Sequence, residues 1–371
     1  MLAKGQTVIQ LFEEFAPKAY AEPDDKIGLQ VGSLQKEIRH VLITLDVTME
    51  VVEEAIREQV DLIIAHHAVI FRPLPHVQTD TPAGRLIEKL IKHDIAVYIA
   101  HTNLDVASGG VNDLMAEALG LTGTTHLSEV HTEKLKKLVV FVPQSHHEAV
   151  LQSLFQAGAG WIGNYSHCSF NIEGTGTYIP REGTQPYAGQ QGKLERAEEV
   201  RIETIVPETL ERKVVQAMLK AHPYEEVAYD LYPVDLKGRS FGLGRVGKLS
   251  EPVTLAELSE QVKSAFDVPF VRMVGDPQRS IRKVAVLGGA GRSFMRSAIF
   301  AGADVYITGD IDYHTAHDAL AAGLCLIDPG HHAEKILKQG VAAVMTEKLA
   351  RIKSETRVIV SQVDTEVFKL I

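Results

Sequence analysis

Histidines and carboxylates collect at four points in this chain, each just past an apolar run that reads as a strand. DLIIAHHAVIF ends its run on His66-His67, and IAVYIA is followed by HTNLD, with His101 and Asp105. VYI leads into TGDIDYHTAHD, with Asp310, Asp312, His314 and His317, and GLCLI leads into DPGHHAEK, with Asp328, His331, His332 and Glu334. Imidazole mixed with carboxylate suits a borderline divalent ion: zinc, iron, cobalt, nickel or manganese. Neighbouring side chains on an extended strand point to opposite faces, so His66 and His67 converge only if the backbone turns at the strand end. That is where open α/β sheets place their ligands. Asp105 has two oxygens and could bridge two ions. His331 and Glu334 are three residues apart, so a helix starting near His331 puts both on one side. The rational donor set is His66, His67 and Asp105 from one half of the chain with His331 and Glu334 from the other. Five donors are too many for a closed tetrahedral zinc site and fit two ions ~3.5 to 4 Å apart with positions left for water.

Plainer readings stand beside this one. His66-His67 could be a strand-end pair bonded to backbone carbonyls. His101 could shuttle protons, orient a ligand or simply pack. Asp312, His314 and His317 could line the same cleft, with helix capping by Asp312 as the alternative. GGAG at 288–291 follows the strand VAVL and could bring N–H groups to a phosphate, but no G-x-G-x-x-G or GK[ST] pattern supports a nucleotide loop. GLGRVGKL at 242–249 reads as a turn between strands. Neither a G-x-S-x-G elbow nor a C-x-x-C pair occurs, which removes common covalent and thiol chemistries.

The elements that must hold the donors show a repeat. HVLITLDVTMEVVEEAIREQVDLIIAHH (40–67) and KVAVLGGAGRSFMRSAIFAGADVYITGD (283–310) align without a gap. Each reads strand, loop, helix with Ala55 or Ala298, an Asp at 61 or 304, then a second apolar strand, which is a βαβ signature. Two such units imply a pseudo-symmetric α/β body whose strands are buried on both faces.

A different pattern lies between them. LKKLVVFV (135–142) and VRIETIV (200–206) are each followed by Pro, a hydroxyl residue and a helical stretch. Ser145 and Thr209 are the expected N-caps. Two βαβ units in tandem match the split βαβ plan of a ferredoxin-like domain, with residues 170–198 as the long excursion between them. The expected division is an α/β body from 1–127 and 236–371 with a ferredoxin-like domain inserted over 128–235.

Composition narrows the function classes. The chain has 371 residues and 45% hydrophobic content, and its net charge of −10 argues against charge-driven binding to nucleic acid or membrane. No apolar run approaches the ~18 residues of a membrane helix. MLAKGQTVIQLFEEFAP reads as a first amphipathic helix, not an export signal. Two distant cysteines, Cys168 and Cys325, suit a reducing cytoplasm.

The stretches IIAHHAVIF, HTNLD, VYITGDI, DPGHHAEK and HPYEEVAYDLYP together resemble the Nif-three-like family, also labelled GTP cyclohydrolase 1 type 2 homologues. The resemblance spans nearly the whole chain and implies the long bacterial form, whose central module is similar to PII and CutA proteins. It further implies a dinuclear metal centre held by His66, His67, Asp105, His331 and Glu334, with zinc first among the candidate ions, in a toroidal homohexamer built as a trimer of dimers. One departure is visible: many shorter members place the last Glu four residues past its His, and here position 335 is Lys. Two functions follow as expectations. One is a metal-dependent hydrolase of a small substrate, with phosphorylated and nucleotide-like molecules among the candidates and His101 as proton shuttle. The other is a metal-containing regulatory or scaffold hexamer that senses a small molecule or binds a protein partner. GTP cyclohydrolase activity enters through the family label alone.

Overall fold

The parallel strands His40–Thr44, Leu62–Ala65 and Ala96–Ile99 lie side by side, and their unbroken apolar sequences reflect burial on both faces. The strand Arg357–Val360 adds in parallel at one edge and Gly28–Val31 antiparallel at the other. A second sheet repeats the motif with Ser280–Val286, Val305–Ile307 and Cys325–Asp328 in parallel and Arg272–Val274 antiparallel at the edge. Its other edge is built by Ser240–Thr254 and Thr122–Thr132. The computed structural model describes residues 1–369. Among these, no helix is long and apolar enough to cross a membrane.

Alternate side chains of each sheet go to different cores. Ile43, Leu62, Ile64 and Tyr98 from the first sheet share one cluster with Val284, Val305, Ile307 and Ile327 from the second. Helix Leu337–Arg351 contributes Leu337, Val341, Met345 and Leu349 to it. The opposite faces are covered by outer helices. Leu42, Ile63 and Val97 pack with Val51, Val52 and Ala55, and Ala285, Tyr306 and Leu326 pack with Ala298 and Ala319. Thr48 caps the helix Met49–Arg57 by accepting from Val51 N–H at 3.3 Å.

The repeat is also visible in hydrogen bonds. Asp61 Oδ2 accepts from the Arg39 and His40 N–H groups at 2.6 and 3.2 Å, and Asp304 Oδ2 accepts from Arg282 and Lys283 at 2.9 and 2.7 Å. Each aspartate stands just before one parallel strand and fastens it to its neighbour, at the start of His40–Thr44 and within Ser280–Val286.

The chain forms two compact units, Met1–His131 with Phe241–Ile371, and Thr132–Ser240. The second unit has the strands Leu135–Pro143, Ser169–Tyr178, Glu195–Pro207 and Tyr229–Pro233 and the helices His147–Ala157 and Glu211–Ala221. Taken in chain order, the strands stand 4-1-3-2, all antiparallel, which is the ferredoxin-like arrangement.

Three local expectations are corrected. Ser145 and Thr209 are not caps: each sits in a single 3-10 turn, Gln144–His146 or Glu208–Leu210, and the α-helix that follows has no side-chain cap. Residues 170–198 are a long hairpin and not an excursion. Its first strand looks loop-like because it is mostly exposed and carries Gly174 and Gly176. GLGRVGKL is not a turn but the middle of the strand Ser240–Thr254. A Cβ at Gly242 would stand 2.1 Å from Ser128 O, so that glycine permits close strand approach. Arg245, in the same stretch, is buried and paired with Asp113, and it donates to Gly242 O and Gly244 O at 2.8 Å each.

Candidate metal centre

Three chain turns at strand ends bring the donors together. After Leu62–Ala65 the His66 and His67 N–H groups both turn back onto Leu45 O, at 3.2 and 2.9 Å, so the adjacent imidazoles converge. After Ala96–Ile99, His101 occupies the N-cap of the short helix Thr102–Val106, which carries Asp105. After Cys325–Asp328, His331 opens the 3-10 helix His331–Ile336. With three residues per turn, positions i and i+3 eclipse. This is why Glu334, three past His331, faces the cluster, and why position 335 is free to be Lys.

The five residues approach one another closely. Glu334 Oε2 lies 3.2 Å from His67 Nε2 and 3.4 Å from His331 Nε2, while its Oε1 lies 3.7 Å from His66 Nε2. His66 Nε2 is 3.5 Å from Asp105 Oδ1, and the Nε2 atoms of His67 and His331 are 3.3 Å apart. The donors group as His67, His331 and Glu334, and as His66, Asp105 and Glu334, with Glu334 common to both. A third group joins His66, His67 and His101. His66 is fully buried, Glu334 nearly so, and His331 keeps 39% of its side chain exposed.

Outer partners aim the rings. His66 Nδ1 donates to Ala100 O at 2.8 Å, His67 Nδ1 to Asp46 Oδ1 at 2.7 Å, and His331 Nδ1 to Asp310 Oδ2 at 2.7 Å. His101 Nδ1 pairs with Asp25 Oδ1 at 2.9 Å. With each Nδ1 committed, each Nε2 is left to face the centre.

The charges there act strongly on one another. Burial works to lower the His66 pKa, but the Asp105 and Glu334 carboxylates outweigh it and hold it raised. Burial also opposes protonation of His67, yet hydrogen bonds to Asp46 and Glu334 lift it to about 9. His331 rises to about 9 through its hydrogen bond to Glu334, against burial, with Asp310 helping. Burial pushes the Asp105 carboxyl up to about 6 against the pull of His66. Glu334 is also pushed up by burial, but the three imidazoles outweigh this and hold it well below the ordinary carboxylate range. Among the described residues, the buried atoms His66 Nε2 and Asp105 Oδ1 of this site have no hydrogen-bond partner.

The GGAG stretch serves this site in another way than phosphate binding. Gly288 N–H goes to Asn112 Oδ1 at 3.0 Å and Gly291 N–H to Thr308 Oγ1 at 2.9 Å, so both are engaged within the protein. A Cβ at Gly288 or Gly289 would stand 2.9 Å from Glu334 Oε1, so the glycines make room for that carboxylate. Asp312 caps the helix Tyr313–Ala321 by accepting from Thr315 N–H at 3.0 Å, the structural one of its two readings. His314 and His317 pack against Tyr313 and belong to none of the donor groups found among the described residues.

Sequence reading missed Asp46 and Asp25. Asp46 follows the apolar run HVLIT and obeys the same strand-end rule that picked out the other donors. Asp25 lies in the loop AEPDDK, where no local signal distinguishes it.

A duplicated α/β body with imidazoles and carboxylates gathered at its strand ends defines a metalloprotein-like class. The chain belongs to the Duf34/NIF3 (NGG1p interacting factor 3) family, whose profile matches residues 3–367. It is 55% identical over 370 residues to the GTP cyclohydrolase 1 type 2 homolog of Halalkalibacterium halodurans, covering 100% of each chain. The protein of the same name from Bacillus subtilis is 55% identical over 364 residues, 98% of each. Among solved structures, a Bacillus cereus protein related to NIF3 superposes with a TM-score of 0.96 at 54% identity, covering 100% of both chains.

Proposed function

We propose that His66, His67, Asp105, His331 and Glu334 hold two divalent metal ions in a metal-dependent hydrolase of a small molecule. The observation that carries this reading is the pair of orphaned buried atoms, His66 Nε2 and Asp105 Oδ1, 3.5 Å apart. Because Nδ1 of His66 donates to Ala100 O, Nε2 is the atom turned toward the carboxylates; they favour a proton on it in the metal-free protein, and loss of that proton frees a lone pair for a metal ion. Lone pairs facing one another in a buried space are relieved by a cation, a proton in the metal-free protein or a divalent ion once metal binds, since an unsatisfied buried polar atom costs ~1 to 3 kcal/mol. His67 and His331 also turn Nε2 toward Glu334, where each holds a proton that a metal ion would displace.

A pair of bound divalent ions supplies Lewis acidity toward a substrate oxygen and a water activated near neutral pH. The chain's own residues do the rest. Asp46 and Asp310 fix the ring planes of His67 and His331. Asp25, whose hydrogen bonds from His101 and Thr102 outweigh burial and hold its carboxyl low, orients His101 so that Nε2 can take and return a proton. The exposed edge of His331 leaves a way in for substrate, as a catalytic site needs and a closed structural site does not.

The test is metal analysis of protein purified without added metal, followed by assay against phosphoesters, nucleotides and cyclic amidines with each candidate ion. Near two ions per chain and metal-dependent turnover that Asp105→Ala abolishes are expected. Undiminished turnover by Asp105→Ala with its metal content intact would end the hydrolase reading, and two ions with no turnover would leave a regulatory or scaffold protein.

A further inference from the structure

The inserted unit contains a cavity of about 650 Å³ unrelated to the metal donors. Its volume lies within the ~300 to 1,000 Å³ range of small-molecule sites. The walls are the open face of the four-stranded sheet, the 179–194 loop of the hairpin and the segment after His222. We propose that this cavity binds an organic ammonium ion, held in a cage of Tyr178, Tyr187 and Tyr224 with Glu199 as its counter-ion.

Three tyrosine rings converge there. The centroid of Tyr224 is 6.4 Å from that of Tyr178 and 5.9 Å from that of Tyr187, with ring planes inclined by 57° and 45°. Tilted rings around a common space present several π faces, and alkylammonium groups are bound by such faces. The rings are braced from behind. His222 Nε2 donates to Phe141 O at 2.9 Å, its Nδ1 accepts from Tyr224 N–H at 3.1 Å, and its ring packs edge-on against Tyr224. Burial holds His222 below its ordinary pKa, as this neutral tautomer requires. His146 stands edge-on to Tyr187, and Tyr178 OH donates to Ala188 O at 2.7 Å, tying the loop down.

Charge selects the ligand's sign. Glu199 is only 8% exposed, and its Oε1 accepts from Tyr224 OH at 2.9 Å. Among the described residues no hydrogen bond reaches its Oε2, and a Cβ at Gly176 would stand 2.1 Å from that atom. Gly176 therefore gives the carboxylate its place. The lining carries four carboxylates, Glu173, Glu199, Glu225 and Glu226, against two guanidiniums, Arg181 and Arg201. Arg201 is already engaged by Glu203 Oε1, at 2.9 Å from Nε. A nucleotide or other polyanion would meet more carboxylates than guanidiniums, whereas an ammonium ion finds aromatic faces and a buried anion.

Isothermal titration of the full-length protein with choline and with 3,3-dimethylbutan-1-ol, its uncharged isostere, tests the assignment. Choline is expected to bind about tenfold more tightly than the alcohol. Glu199→Gln, which keeps an acceptor for Tyr224, and Gly176→Ala, which displaces the carboxylate, should each remove that preference. Tyr187→Leu, half-exposed in the wild type, should weaken choline binding without lowering the melting temperature, and so serves if either other variant fails to fold. Equal affinity for the two probes, no binding of choline, or a preference for ATP over choline that survives Glu199→Gln would overturn the proposal.

Discussion

The two halves of the α/β body share a backbone plan and divide the chemistry unequally. In the first half, the strand ending at Ala65 delivers two imidazoles, and His67 points at Glu334. The aligned position in the second half is Asp310, which does not face the centre as a donor but holds His331 by its Nδ1. The strand ending at Ile99 supplies Asp105 four residues after His101, on an α-helical turn. Its counterpart, ending at Asp328, supplies Glu334 three residues after His331, on a 3-10 turn. Duplication therefore fixes where the strand ends lie, while single substitutions at those ends decide which side chain is a donor and which only orients one.

The sharpest way to break this comparison is Glu334→Ala. Glu334 approaches the imidazoles of His66, His67 and His331 and belongs to two of the three donor groups, so metal content measured by plasma mass spectrometry is expected to fall from near two ions per chain to near none. A variant that retained a full complement would show that the halves bind independently.

Asp46→Asn and Asp310→Asn probe the orienting acids, one in each half. Each should weaken metal binding by roughly 10- to 100-fold in competition with a chelator, and comparable losses would mean that the halves orient their imidazoles equally well.

Proton competition sharpens the same point. The folded-state pKa values of His67 and His331, about 9, lie above the unfolded value of 6.5. Their contribution to metal-free stability is complete below pH 6.5 and is lost as pH rises through 9. Metal must displace those protons, so its affinity rises over the same window. The increase in melting temperature produced by metal over chelator-treated protein is thus expected to grow from pH 6.5 to 9; a constant increment would show that neither imidazole is a ligand.

The smallest effects belong to the framework. Asp61→Ala and Asp304→Ala each remove a carboxylate bonded to two strand N–H groups and are expected to cost about 1 to 2 kcal/mol in urea unfolding. Similar costs would mark the pair as a retained feature of the duplication, and unequal ones would show where the halves have diverged in stability as well as chemistry.

Much of this was legible in the chain. Apolar runs uninterrupted by polar residues revealed strands buried on both faces, and the ungapped match of 40–67 with 283–310 revealed the repeat. The strand-end rule singled out His66, His67, Asp105, His331 and Glu334, which the fold brings together, because apolar strands make their ends easy to see. It failed where local pattern and environment disagree. Ser169–Tyr178 is a strand with little core to face, so it lacks alternation, and GLGRVGKL has turn-like glycines that in fact allow close packing of neighbouring strands.

What sequence alone determined is the set of elements and the kinds of donor at their ends, since periodicity and residue type are local properties. Tertiary structure decided which of those donors meet, that Asp46 and Asp25 serve behind them, and that Gly288 and Gly289 clear space for Glu334. The reason is distance along the chain: His67 and Glu334 are separated by 267 positions and stand 3.2 Å apart. Only the packing of two sheets on a shared core can set such a contact, and no local signal encodes it.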